Sequence, residues 1–296
     1  MENVEIPALD TVDLEILMHR DVHFGKNFDI MIEYYLEDGV GAMPDFDAAR
    51  MRELKTIEEQ MKQDLSALLL PDSAKSLVER AKKAYFDLRE VYSKEKPDEV
   101  GILISDLILS EEELPKAEMQ KIIEKREKAV DPLIHLINSS DFYDPLFPGY
   151  GRSPRFAAKC LAEIGDPRSI QYLFNALGQE NFFTDDAMIS SITSFGEQAK
   201  PFLIRTLQHK PLSKDNEHAA IVLTNFPDDP EIAKACLEML KQPDIQKKVP
   251  LATYLIFGCA ALDNKSDQRA FKELSRDQNL SPDLHDEMRV ILNSWK

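Results

Sequence analysis

The sequence predicts an all-α protein. The expected architecture is an α-solenoid of stacked helix pairs, preceded by an N-terminal helical module with a long hairpin and followed by a C-terminal capping helix. Three observations carry this. Glycine is scarce, 10 of 296 residues, while charged residues make up 30% and hydrophobic ones 43%, a balance that favours helix and is ample for a core. Apolar residues recur at three- and four-residue steps, with no alternating strand pattern. Finally, Gly165, Gly196, Pro227 and Gly258 end four similar segments, each 31 residues after the last.

The first helix covers approximately DTVDLEILMHRDVHF, residues 10–24, with Gly25 as its stop. Within it, HRDVH sets two histidines and an aspartate in five positions, a density common in metal sites. Helical geometry separates them. His19 and His23 share the face of Val12 and Ile16, whereas Asp21 is turned away by about 200°. The helical zincin motif needs Glu after the first histidine, and Arg20 stands there. A metal site would need Glu33 and Glu37, an i, i+4 pair on the next helix, to join His19 and His23. The residues favour structural histidines and no cofactor; a metal-binding protein or enzyme using this set is the alternative.

Residues 1–49 hold 12 acids against Arg20 and Lys26, a net of -10 in a chain of net charge -17. Asp29, Glu33, Glu37 and Asp38 are candidates for an acidic face that steers a basic protein surface; a merely solvated face is the other reading. Next, FDAARMRELKTIEEQMKQDLSALLL (46–70) and SAKSLVERAKKAYFDLREVYS (73–93) carry apolar seams, Leu54, Ile57, Met61, Leu65, Leu68 and Leu77, Ala81, Ala84, Leu88, Val91. Separated by Pro71 and Asp72, they predict an antiparallel hairpin with arms of roughly 30 Å. SKEKPDEVG (93–101) marks the joint that ends a module over 1–97. Connecting helices follow over 98–128, where EEEL (111–114) reads as a helix start.

SSDFYDPLFPGYGRSP (139–154) is no helix: it combines three prolines and two glycines with Phe142, Tyr143, Phe147 and Tyr150. A long loop with aromatic tips suits partner binding. Alternatively, its aromatics fold back over the junction between modules.

The repeats occupy 129–262. RFAAKCLAEIG, DAMISSITSFG, EHAAIVLTNFP and VPLATYLIFG superpose Ala158, Ile189, Ala220 and Leu251, then Leu161, Ile192, Leu223 and Tyr254, then Ile164, Phe195, Phe226 and Phe257. Second helices follow, closing at Leu177, Leu207 and Leu240, with KAVDPLIHLI as an earlier example ending at Ile137. Asp166-Pro167 and Asp229-Pro230 read as Asp caps with Pro in the first turn. Arg155, Ala157, Ala158, Leu161, Ile164, Gly165, Asp166, Pro167, Leu173 and Leu177 give this region a pattern that resembles a HEAT-like repeat of the phycobilin-lyase subtype. The resemblance implies stacked helix pairs over 129–262. Pro227 in place of glycine and Pro250 inside a helix depart from it. A cap follows over 263–296, where Leu284, Met288, Ile291 and Trp295 share a helical face opened by Ser281 and Pro282, with Trp295 expected on the last repeat.

The function classes narrow accordingly. Net charge -17 disfavours phosphate neutralisation, so a nucleic-acid-binding helical repeat is the weaker alternative. No phosphate loop, nucleophile elbow or paired CxxC occurs. Asp215 and His218 share a helical face with no nearby Ser or Cys nucleophile. Cys160, Cys236 and Cys259 read as buried thiols. Apolar runs fall far short of a bilayer span, and MENVEIP lacks the features of a secretory signal, so the chain is expected to be cytoplasmic and not in a membrane. The expectation is a non-catalytic scaffold that binds a protein partner through its repeat face and aromatic loop.

Overall fold

The computed structural model describes residues 10–95, 98–178, 182–226, 228–278 and 280–295. The chain is all-helical, with no strand among the described residues, and none of its helices there is long and apolar enough to cross a membrane. It divides into two compact units at Cys160–Leu161.

In the first unit, α1 (Thr11–His23) begins with a capping box: the Asp10 carboxylate accepts the Asp13 N–H, and Asp13 accepts that of Asp10. Asp13 also takes both forks of Arg50, at 2.7 and 2.6 Å, which ties α1 to α3. After a left-handed turn at Gly25 and Lys26 (φ 56 and 67), α2 (Phe28–Leu36) opens under the Asn27 side chain. The single long arm expected over 46–70 is instead two helices, α3 (Ala48–Met61) and α4 (Leu65–Leu69). Lys62 adopts a left-handed conformation (φ 53), and Asp64 starts the new helix by accepting the Ser66 N–H. The broken arm does not form the expected hairpin. α3 packs chiefly on α2, and α5 (Asp72–Glu90) packs on α1. Ile16 and Leu17 of α1 therefore sit at the centre of a core with Met31, Leu54, Leu65 and Val78, each such side chain contributing about 1.5–3 kcal/mol.

α6 (Glu99–Leu109) packs on α7 (Lys116–Glu124) and α8 (Glu127–Asn138). Glu111–Leu114, expected to start a helix, lie outside one. Pro115 disfavours helical backbone at the preceding residue, so α7 begins only at Lys116. The division between units falls within α9 (Ser153–Ile164).

The second unit runs through α10 (Ser169–Asn175), α11 (Phe182–Ser194), α12 (Lys200–Gln208), α13 (Lys214–Leu223), α14 (Pro230–Leu240), α15 (Pro243–Gln246), α16 (Val249–Gly258), α17 (Lys265–Leu274) and α18 (Pro282–Ser294). α11 packs on α13, α12 on α13 and α14, and α16 on α13, α14 and α18. Gly165 and Gly196 end their helices in left-handed conformations (φ 75 and 54); Pro227 lies outside the described residues. Asp229 caps α14 by accepting the N–H groups of Glu231 and Ile232. Asp166 does not cap a helix. Its carboxylate is turned onto the Arg168 N–H and guanidinium, and α10 starts later, at Ser169.

The fourth segment departs from the superposition. Leu251, Ala252, Leu255 and Ile256 are buried, while Phe257 is 39% exposed. Gly258 lies so close to α14 that an added Cβ would sit 2.5 Å from the Cys236 Sγ, and this approach turns Phe257 outward. α18 buries Leu284, Met288 and Ile291. Trp295 packs back as expected, donating its Nε1–H to the Ala260 carbonyl (2.8 Å) with its ring edge-on to Phe271 (5.2 Å).

Candidate functional site

HRDVHFG resolves into two environments on opposite faces of α1. On one, Arg20 is completely buried, and its guanidinium donates to Asp21, Glu58, Asp64 and Ser66 at 2.6–2.9 Å while lying over the Phe28 ring. Lys26 adds to the same cluster through Asp64. Burial would raise the Asp64 carboxyl, but Lys26 and Arg20 outweigh it and hold it down at about 2. Asp21, which the helical wheel turned away from the histidines, is the buried counter-ion here. Taking the guanidinium and the Asp21 carboxylate out of water is tolerable because each pairs with the other and Arg20 gains Glu58, Asp64 and Ser66 as further acceptors.

On the other face, His19 and His23 stand 5.2 Å apart, with the Phe46 ring edge-on to His19. The His23 Nε2 faces the Pro145 carbonyl (3.2 Å), which can only accept, so that nitrogen carries the proton. Nδ1 then accepts the Tyr85 hydroxyl at 2.8 Å. The Tyr150 ring also stacks on that of Tyr34 (6.4 Å), whose hydroxyl donates to the Val40 carbonyl and lies 3.0 Å from the Glu111 carboxylate. Burial drives the titrations apart: it lowers His19 to about 4 and, with its neighbour His19, lowers His23 to about 3, while it raises all the tyrosines, Tyr35 to about 12. The two histidines and four tyrosines of the cluster are neutral at physiological pH.

This cluster absorbs most of the loop expected to bind a partner. Tyr150, held at φ 55, stacks on His23 at 4.6 Å, and Gly41 (φ 84) is glycine because a Cβ there would lie 2.3 Å from the Tyr150 ring. Phe147 is 1% exposed, packed with Ala81 and Leu146 under Arg80. Tyr143 donates to the Ile137 carbonyl at 2.8 Å, and Phe142 is half-buried. The loop is therefore folded back, which corrects its reading as a set of free aromatic tips: its apolar rings are needed to cover α1 and α5. Arg152 fastens it further by donating to the Ser110 and Glu112 carbonyls.

The remaining expected residues are dispersed. Glu33, Glu37 and Asp38 are exposed around the end of α2 and are not gathered with His19 and His23; Asp29 pairs with Lys55. Among the described residues no group of three His, Cys, Asp or Glu is arranged to hold a metal ion. The thiols of Cys160, Cys236 and Cys259 are buried, and burial pushes Cys236 up to about 12 and Cys259 well above its ordinary value.

An open groove of about 460 Å³ lies in the second unit against α10, α12 and the start of α13, lined by Phe174, Phe202, Arg205, His209 and Asp215 among others. Phe174 and Phe202 meet edge-to-face at 5.3 Å. The corner beside it is fixed by Asn216, only 1% exposed, whose Nδ2 reaches the carbonyls of Leu207 and His209 at 2.8 and 2.9 Å, satisfying the end of α12. Sequence reasoning missed this groove. Its aromatics come from two helices whose pairing only the fold reveals, and Asn216 reads in sequence as an ordinary polar residue. No protein-family model matches the chain, and no curated protein matches it.

Proposed function

We propose that the chain is a non-catalytic interaction protein, a HEAT-like helical repeat over 129–262 that holds a segment of a protein partner in the groove of α10, α12 and α13. The observation that carries this is the groove itself: half-buried Phe202, set edge-to-face on buried Phe174 and flanked by Arg205, His209 and Asp215, on a corner held by Asn216. Apolar anchors beside a few charged groups on rigid elements are what a peptide-binding surface requires. Both nitrogens of His23 are engaged by the protein's own groups, which favours this reading over a metal site that uses that residue. The stacked helix pairs give such a surface its rigidity.

The test uses the full chain. A photo-crosslinking residue in place of Gln171 should capture a partner from the native cell, and Phe202→Ala with Arg205→Glu should abolish capture at an unchanged melting temperature. Capture that survives the double substitution overturns the assignment.

A further inference from the structure

The two final helices hold five acids and four bases, and all four bases line one concavity. α17, KSDQRAFKEL, buries Phe271 and leaves Lys265, Arg269 and Lys272 exposed. Together with Arg289, Leu292 and Trp295 these residues line an open groove of about 610 Å³. Four cations thus converge on one concavity in a chain of net charge -17. Among the described residues no carboxylate lies within ion-pair distance of Lys265, Arg269 or Lys272; Arg289 pairs with Asp286, and both partners are 69% exposed. Such an exposed pair is weak and easily exchanged. Clustered cations without counter-charge repel one another, and a bound anion relieves that repulsion.

The groove is not uniformly polar. Leu292 is half-buried, and Trp295 is immobilised by its hydrogen bond to Ala260 and its edge contact with Phe271, so its ring borders the groove in a fixed orientation. A rigid indole beside cationic side chains selects a ligand carrying both negative charge and an apolar group. Spacing narrows the class further. Lys265 and Arg269 are one turn apart, about 6 Å along the axis, close to the roughly 6.8 Å between alternate side chains of an extended chain.

We propose that the α17–α18 groove binds an acidic peptide segment of a protein partner in extended form. Alternate carboxylates pair with Lys265 and Arg269, a further carboxylate reaches Lys272, and an aromatic or aliphatic side chain rests on Leu292 and Trp295. The site is separate from the α10–α12–α13 groove and does not depend on it. The apolar floor disfavours a simple inorganic anion, and the net charge of the chain disfavours a nucleic acid.

Trp295 is the sole tryptophan, so its emission reports this groove alone. Titrating the full chain with a capped Glu-Phe-Glu-Phe-Glu peptide should give a saturable emission change that weakens as salt rises, with no change for Lys-Phe-Lys-Phe-Lys. Lys265→Glu, Arg269→Glu and Lys272→Glu together should abolish the response. Should the triple variant fail to fold, Lys272→Glu alone should weaken binding about three-fold while Lys272→Arg retains it. The proposal is overturned by any of three results: no response from the wild-type chain, an unaltered response in the charge-reversed variants, or an equal response to inorganic phosphate or to a single-stranded oligonucleotide. Loss of the α10–α12–α13 assignment would leave these expectations unchanged.

Discussion

Arg20 shows how much one residue can organise. It has no solvent exposure, and of its partners Asp21 is buried with it, while Glu58 and Asp64 keep part of their surface in water. Arg20→Met should cost about 3–5 kcal/mol in urea denaturation, because a buried charge left unpaired is worse than no pair at all; adding Asp21→Asn should recover part of the loss. Arg20→Lys should not substitute, since an ammonium cannot serve this forked set of acceptors. The histidines make a separate pH prediction. Their folded pKa values, about 4 and 3, lie below the ordinary 6.5, so the folded state binds fewer protons than the unfolded one. The stability they contribute is complete above pH 6.5 and is lost as pH falls from there through about 4 for His19 and about 3 for His23. Denaturation midpoints measured across that window should drop, and His19→Leu should flatten the drop. The buried thiols should fail to react with an aromatic disulfide reagent until the chain unfolds.

At the scale of elements, legibility followed the range of the interactions. The start of α1 at Asp10 and of α14 at Asp229 can be read in the sequence because a cap is a local hydrogen bond. The break between α3 and α4 is legible only in part: the Asp64 cap is as local as the others, but Asp64 is also held by Arg20, 44 residues away. The loop's inward fold was one of two readings the residues allowed; His23 and Tyr34, whose rings receive Tyr150, carry no local signature that would have decided it. The rotated face of α16 was equally hidden, since it depends on the close approach of Gly258 to Cys236. Gly258→Ala should therefore destabilise the chain by about 1–3 kcal/mol through overpacking. Cys236→Ala should partly rescue it, and a double-mutant cycle of melting curves measures the coupling.

For the whole molecule, the all-helical class followed from composition and periodicity, both of which average over many residues and so tolerate local errors. The charge of -17 is equally plain in sequence, but the gathering of Lys265, Arg269, Lys272 and Arg289 around one groove emerges only once the helices are placed. Exposed Glu33, Glu37 and Asp38 adjoin Ile30 and Leu36, which are 52% and 60% exposed. A basic partner surface should associate more slowly as salt rises, with dissociation less affected, and Glu33→Gln with Glu37→Gln and Asp38→Asn should reproduce the slowing at low salt; stopped-flow measurement separates the two rates. The wiring of α1 also sets an order on biosynthesis. Arg20 cannot find Ser66 until 46 further residues have been made, and His23 waits 122 residues for the Pro145 carbonyl. At about 5–20 residues per second, the first helix leaves the ribosome on the order of ten seconds before its last support exists. During that interval its apolar face is a substrate for chaperones, so nascent chains halted near residue 100 should be held by them far more than chains halted beyond residue 200.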